Sequence, residues 1–232
     1  MPSIIRFYIS LTLMIAATNH CLSQENKSPD SESKISYAPT GIRVGTDLID
    51  LAKTGKTFKG WELNGDIDVS KYYLAVDIGS WAKDITLTNG EYTNGGSYFR
   101  VGVDLNFLAK DPDKNMFFFG FRIGRSLFHE SLTYQATSVH LYPSSTYSVS
   151  NDAVSGRWAE FTTGLRVRVW KGLWMGYTVR MKFAPSTKGS GASLAPYDMP
   201  GYGIVSNKPW WGFNYQVFWR FEWKKNKPAV KK

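Results

Sequence analysis

The stretch from Trp158 to Phe183 alternates, residue by residue, between a charged face and an apolar face. In its first half, Glu160, Arg166 and Arg168 share one face, while every residue on the other is uncharged. After Lys171-Gly172 the alternation resumes. Two period-two runs joined by a turn containing glycine predict a β-hairpin. To keep the two faces aligned, we expect Trp170 to pair with Trp174 across a three-residue loop, residues 171–173.

The same alternation recurs along the chain, giving eight predicted strands at residues 42–48, 61–69, 72–79, 98–107, 117–124, 158–170, 173–183 and 211–223. The connections alternate in length: residues 70–71, 109–115 and 171–172 are short, residues 53–59 intermediate, and residues 82–96, 127–156 and 184–208 long. Membrane barrels have this rhythm, with short periplasmic turns and longer extracellular loops. The pattern predicts an all-β fold, an eight-stranded antiparallel up-and-down transmembrane β-barrel.

The charges of the predicted strands all lie on one face. They are eight positive groups, Arg43, Arg100, Arg122, Arg166, Arg168, Arg180, Lys182 and Arg220, and eight negative groups, Asp47, Glu62, Asp66, Asp68, Asp77, Asp104, Glu160 and Glu222. Equal numbers suit a desolvated ion-pair network, and arginine suits buried pairing better than lysine. We therefore predict that these sixteen residues form a lumen network and that the apolar face meets lipid.

Two further patterns bear on the barrel. Aromatic residues, among them Trp61, Tyr72, Phe107 and Trp211, fall near the ends of the apolar faces, where interfacial girdles form. The interior of an eight-stranded barrel is about wide enough for side chains alone, so a plugged lumen is expected and not a porin channel. A soluble lipocalin-like lipid-binding barrel, with the two faces reversed, is the alternative.

The two ends of the chain differ from the barrel in composition. Residues 1–23 read as a signal peptide, because Arg6 is the only charge and the apolar stretch is too short to span a bilayer. Cys21 suggests a lipoprotein alternative, although His20 stands where a lipobox has a small residue. Residues 24–38 are predicted to be a flexible periplasmic leader, residues 39–223 the barrel, and residues 224–232 a basic C-terminal tail. Much of the net charge of +9 lies in that tail, which argues against a nucleic-acid-binding face.

Candidate chemistry is sparse. His129 and His140, with Glu130, Ser131 and Ser138, fall in one long predicted loop, and surface loop residues are the simpler interpretation. We predict no catalytic, cofactor-binding or metal-binding residues. Two arginines that flank outer strand ends, Arg125 and Arg157, are candidate contacts for lipopolysaccharide phosphates.

Short pieces of the chain, in their order, resemble an uncharacterised family of small outer-membrane barrels of Bacteroidota. The pieces are Gly41-Ile42-Arg43-Val44-Gly45-Thr46-Asp47-Leu48, Phe58-Lys59-Gly60-Trp61-Glu62, Gly65-Asp66, Gly96-Ser97-Tyr98, Gly102-Val103-Asp104-Leu105-Asn106, Gly120-Phe121-Arg122-Ile123-Gly124, Trp158-Ala159-Glu160, Pro200-Gly201-Tyr202 and Gly212-Phe213-Asn214-Tyr215. The resemblance implies the fold and a place in the outer membrane of a Gram-negative bacterium, but no activity. In outer-membrane barrels generally, an aromatic residue that signals barrel assembly ends the chain, whereas this chain continues beyond Trp223.

These observations favour a non-enzymatic outer-membrane protein, with both termini periplasmic, that acts in envelope structure or in surface recognition through its loops. Its expected partners are outer-membrane lipid and lipopolysaccharide, and the barrel assembly machinery during biogenesis. A lipid-modifying barrel enzyme is an alternative from another class.

Overall fold

The computed structural model describes residues 39–136, 145–190 and 194–222. The predicted signal peptide, leader and basic tail, together with Ser138, His140 and Trp223, lie outside these residues. Within the described ranges, no helix is long and apolar enough to cross a membrane.

The fold is all-β, with strands joined in antiparallel pairs. In chain order the elements are β1 (Gly41–Asp47), α1 (Leu48–Lys53), β2 (Phe58–Val69), β3 (Tyr72–Leu87), β4 (Gly90–Asn106), β5 (Met116–Ala136), β6 (Ser145–Trp170), β7 (Leu173–Ser190), β8 (Asp198–Met199), β9 (Gly203–Ile204) and β10 (Trp210–Glu222). Eight of the strands follow an up-and-down order, and β1 pairs with β10 to complete a closed barrel. The predicted antiparallel order of eight strands is confirmed, while β8 and β9 form a separate small sheet.

Burial alternates along the barrel strands with the predicted period. In β2, Glu62, Asn64, Asp66 and Asp68 are buried, whereas Leu63 between them is 52% exposed. The cause is the pleat, which sends successive side chains to opposite faces of a sheet. The barrel therefore has a polar interior and an apolar exterior.

One end of the barrel, which we call the turn end, carries the connections at residues 70–71, 107–115 and 171–172. The predicted pairing of Trp170 with Trp174 is wrong: Trp170 pairs with Leu173, and Arg168 pairs with Trp174. A register shift between these two pairs places one extra residue, Val169, in β6. This bulge realigns the two faces of the hairpin, so the turn closes with only two residues, Lys171 and Gly172.

At the opposite end, which we call the mouth, much of the predicted loop structure is strand. Residues 82–96 were predicted to be a loop, but β3 and β4 run through them to a turn at residues 88–89. β5, β6 and β7 also extend past their predicted ends. The five strands β3–β7 form a wall at the mouth, and both faces of this wall carry polar residues, which weakens the period-two pattern in the sequence.

The other side of the mouth is lower, because β1 ends at Asp47. The Asp47 side chain accepts a hydrogen bond from the backbone amide of Ile49, 3.0 Å away, and so caps the short helix α1. Helix α1 contacts β2 on one side and β10 on the other. A helix thus occupies the place in the wall where β1 would continue.

Candidate functional site

The barrel interior holds fourteen of the sixteen charged residues selected from the sequence. These fourteen are buried: Arg43, Asp47, Glu62, Asp66, Asp68, Asp77, Arg100, Asp104, Arg122, Glu160, Arg166, Arg180, Lys182 and Arg220. Eight different strands contribute them, so the network joins the whole circumference of the barrel.

The other two residues of the predicted network, Arg168 and Glu222, lie elsewhere. Their side chains are 40% and 52% exposed, and both stand at the turn end. Arg168 pairs with the exposed Asp113 at 3.2 Å, and Glu222 accepts from Arg220 at 3.2 Å. Both residues are on the polar face, but the strands that carry them run past the end of the enclosed interior.

The centre of the network is Asp77 on β3. One of its carboxylate oxygens lies 3.2 Å from Arg180 Nη2 and 3.3 Å from Arg100 Nε, and it also pairs with Arg122. Asn64 Nδ2 donates to the other oxygen at 2.7 Å. One carboxylate therefore serves three guanidinium groups in a place without solvent.

Two more carboxylates complete the central cluster. Glu160 pairs with Arg180 at 3.0 Å, and Glu62 pairs with Arg100. Three acids thus face Arg100, Arg122 and Arg180, and Arg122 also pairs at 2.8 Å with Asp104, which it shares with Arg166. Such balance is needed because an unpaired charge in a low-dielectric interior costs several kcal/mol.

A second cluster lies nearer the turn end, around Asp66. Arg43 donates to Asp66 at 2.8 Å, and Arg166 donates to its other oxygen at 2.5 Å. The Arg166 guanidinium stands 4.8 Å and 4.6 Å from the ring centres of Phe118 and Phe218. Aromatic faces stabilise such a cation when water is excluded.

Glycines on the inward face make room for these large side chains. A Cβ atom at Gly120 would lie 2.1 Å from Asp104 Oδ1, and one at Gly124 would lie 2.2 Å from Trp158 Cε2. Side chains thus pack directly against the backbone of the barrel. The interior is a filled, ion-paired core at these levels.

Above this core, the segment of residues 194–209 folds into the mouth instead of projecting from it. Met199 and Tyr202 are fully buried in an apolar cluster with Tyr98, Phe128 and Trp158. Polar contacts also attach the segment to the wall, among them an ion pair of 2.5 Å between Lys83 and Asp198. The sequence pattern predicts this segment to be part of an outer loop. Within it, only the piece Pro200-Gly201-Tyr202 contributes to the family resemblance.

Lys182 connects the core to this inward-folded segment. Its Nζ atom donates to the backbone carbonyl of Gly201 at 2.7 Å and to that of Tyr202 at 3.0 Å. Lys182 differs from the arginines below it, because its ammonium group makes no ion pair within the described residues.

A cavity of about 700 Å³ lies at the mouth between α1, the inward-folded segment and β10. Its lining includes Asp50, Lys53, Lys182, Tyr202 and Trp210. Burial raises the pKa of Asp50 to about 6, and the nearby carboxylates of Asp47 and Glu62 act in the same direction. The volume is within the range of small-molecule sites.

The residues considered for catalysis do not form a triad in the described structure. The strand alternation puts the exposed His129 and the buried Glu130 on opposite faces of the wall. Glu130 is held inside by Tyr92 and Asn151, while Ser131 shares a hydrogen bond of 2.7 Å with Thr93. In the same ranges, no group of three or more His, Cys, Asp or Glu residues is placed to hold a metal ion.

Arg125 and Arg157 are direct cross-strand partners on β5 and β6. Both are exposed, and within the described chain neither makes an ion pair. Phe99, an exposed aromatic residue, pairs with Arg125 on the neighbouring strand. The two cations therefore stand side by side next to the apolar exterior.

The model of a family described as a domain of unknown function, DUF6048, matches residues 4–225, and the chain belongs to that family. A search of curated proteins found no match.

Proposed function

We propose that this DUF6048 family member is an outer-membrane β-barrel without catalytic activity, which serves envelope structure or surface recognition through its mouth. The observation that carries the proposal is the distribution of polarity. Charged residues fill the interior, and large apolar side chains cover the exterior. Membrane barrels need an apolar surface towards lipid.

The apolar exterior of the barrel gives the stronger support for a membrane location. Leu74, Ile78, Ile123 and Phe161 are exposed on three different strands, and many similar residues surround them. Monomeric soluble proteins rarely expose contiguous apolar patches of more than a few hundred Å². The lipocalin-like alternative needs the apolar face inside, whereas here the charged face is inside. A soluble barrel with these faces would leave the apolar surface in water, so the membrane location is favoured.

Exposed aromatic residues lie towards both ends of the apolar surface. Trp61, Phe99 and Trp211 lie towards the mouth, and Phe107 and Trp170 lie at the turn end. Amphipathic aromatic rings favour the two interfaces of a bilayer. In the orientation we propose, the mouth faces the cell exterior, and the turn end, with both strand termini, faces the periplasm.

We propose surface recognition rather than transport because side chains fill the barrel. The wall β3–β7 and the inward-folded segment would be the parts accessible from outside. The barrel assembly machinery would act on the protein only during biogenesis.

Fractionation of cells that make the full chain tests the proposal. The protein is expected in the outer-membrane fraction, and its gel mobility is expected to change when the sample is boiled, because closed barrels resist unfolding by detergent. Recovery in the soluble periplasmic fraction, or one mobility before and after boiling, would refute the proposed location.

Arg125 and Arg157 are proposed to bind phosphate groups of lipopolysaccharide. Like charges directly opposite on neighbouring strands repel each other, and an anion between them would relieve that repulsion. The double variant Arg125→Ala, Arg157→Ala is expected to retain at least about tenfold less lipopolysaccharide on purification, since each charge-assisted hydrogen bond contributes about 1.5–3 kcal/mol. Lipopolysaccharide phosphate per mole of protein is the measured quantity.

The matched control removes two exposed lysines at the turn end, Lys110→Ala with Lys171→Ala. It loses the same charge on the opposite side of the proposed bilayer and is expected to behave like the unaltered protein. Equal retention in both double variants would argue against the arginine contact.

A further inference from the structure

The barrel wall lacks a strand segment on one side of the mouth. β1 pairs with β10 as far as Asp47 opposite Gln216, and with β2 as far as Thr46 opposite Leu63. Past these pairs, residues 58–62 of β2 and residues 210–215 of β10 each pair with a strand on one side only. Among the described residues, no strand lies between the two segments on the other side. Helix α1 lies between them and leaves the cavity beside β10.

The two edges of this gap differ in their hydrogen bonding. On the β2 side, Thr54 Oγ1 donates to the Gly60 carbonyl at 3.0 Å, and Thr46 Oγ1 donates to the Glu62 carbonyl at 2.7 Å. On the β10 side, the Tyr215 amide donates to Asp47 Oδ1 at 3.2 Å. Strand alternation points the amides of Phe213 and Trp211 the same way.

Towards the gap, the described residues offer Phe213 and Trp211 no hydrogen-bond partner. A backbone amide that faces lipid chains instead of water needs a polar partner, because lipid chains offer none. A polar ligand in the gap would supply it.

The cavity extends from the interior to the outside of the barrel. Its lining includes the inward-facing Lys182 and also Trp211 and Phe213, which point outward; Trp211 is 64% exposed. Gly212 lies between them in the lining, and a Cβ atom there would stand 3.0 Å from Lys182 Cε and 3.2 Å from its Nζ, so the absence of a side chain leaves this space to the lysine. The opening thus joins a polar pocket to an apolar outer surface.

The polar end of the cavity has groups available for an anion. Lys182 uses two of its three N–H groups on backbone carbonyls, and the buried Tyr202 hydroxyl has no hydrogen-bond partner among the described residues. Arg100 pairs with Glu62, and Lys83 pairs with Asp198. Of the remaining charges in the lining, Lys53 and Lys182 outnumber Asp50.

We propose that this opening binds the phosphate-bearing headgroup of an outer-leaflet lipid, with Lys182 and Tyr202 contacting the phosphate and the acyl chains lying against Trp211 and Phe213. The inference rests on the proposed membrane location, because only a barrel in the outer membrane would present the gap to lipid. It adds a specific site to that proposal.

The test measures binding of dioctanoyl phosphatidic acid to the purified full chain in detergent by native mass spectrometry. Dioctanoylglycerol, which has the same chains and no phosphate, and inorganic phosphate are the comparison ligands. The phosphatidic acid is expected to bind at least about tenfold more tightly than dioctanoylglycerol, because the phosphate adds charge-assisted hydrogen bonds. Inorganic phosphate at the same concentration is expected not to displace it.

Two variants test the contacts. Tyr202→Phe removes a hydroxyl that has no partner in the protein, so the fold should be retained while affinity falls about fivefold. Lys182→Met is expected to weaken binding at least as much. Gly65→Ala is the control, since its added methyl group would be 3.8 Å from the nearest atom and Gly65 is not part of the cavity lining.

Equal affinity for the two lipids, or unchanged affinity in Tyr202→Phe, would overturn the inference. Complete displacement by inorganic phosphate would also overturn it, because the site would then bind a soluble anion. A protein that fractionates with the outer membrane yet does not bind the lipid contradicts this inference alone. A protein found in the periplasm contradicts the proposed function as well.

Discussion

Replacing Asp77 with alanine is expected to lower the free energy of unfolding by about 3–5 kcal/mol, the usual cost of removing one partner from a buried ion pair. The cost is large because Asp77 is shared by three arginines, Arg100, Arg122 and Arg180. Without this carboxylate, these three guanidinium groups keep only Glu62, Glu160 and Asp104 as partners, and Asp104 also pairs with Arg166. Urea unfolding in lipid vesicles, followed by gel mobility without boiling, measures the change.

Two further substitutions test whether the loss depends on the negative charge of Asp77 and on its buried position. Asp77→Asn keeps the size of the side chain and one acceptor, so we expect a smaller loss than for alanine. Glu222→Gln removes a carboxylate that is more than half exposed, and exposed ion pairs contribute at most about 1 kcal/mol. If Asp77→Ala were no more destabilising than Glu222→Gln, the network would not stabilise the barrel.

The faces of the strands could be predicted because the side-chain period of a strand is fixed by the backbone. Glu160 and Phe161 are neighbours in sequence, and the structure buries the first and exposes the second. Charge placement then indicated which face is enclosed. Arg168 and Glu222 carried the same signal, but where an enclosed interior ends depends on the tilt and relative length of the strands, which the sequence pattern does not contain.

The mouth was harder to predict, for two physical reasons. At the mouth both faces of the β3–β4 hairpin carry polar pairs, Thr86 with Glu91 on one face and Lys83 with Asn94 on the other, so alternation there is weak even though the backbone pairs regularly. The inward-folded segment is held by distant residues: Asn151 Nδ2 donates to the Leu194 carbonyl at 2.6 Å, and Asn94 Nδ2 donates to that of Asp198 at 2.5 Å. Those contacts join residues that are 43 and 104 positions apart in sequence, which a local pattern does not encode.

The gap beside β10 illustrates the same limit. Asp47 was predicted to be a lumen charge, and it is buried, but it also caps α1 and accepts from Asn214 at 2.5 Å. Asp47 can cap the helix only because β1 ends at this residue. The gap arises because the neighbouring strands β2 and β10 continue past that point. Sequence periodicity alone gives no relative strand lengths.

The second large effect is expected on the exterior. Val103 lies on β4 midway between the exposed aromatic residues Phe99 and Phe107, and its side chain is 43% exposed. An arginine at the midplane of a bilayer costs about 2–4 kcal/mol, whereas an arginine on a surface in water costs almost nothing. Leu87 offers a matched control, because it is 46% exposed at the tip of β3, beyond the proposed bilayer.

The most direct measurement compares the unfolding free energies of Val103→Arg and Leu87→Arg in lipid vesicles, each relative to the unaltered chain. A barrel that spans the bilayer predicts a loss of about 2–4 kcal/mol for Val103→Arg and less than about 1 kcal/mol for Leu87→Arg. Equal, small losses in both variants would mean that the exterior of the barrel meets water, and would contradict the account.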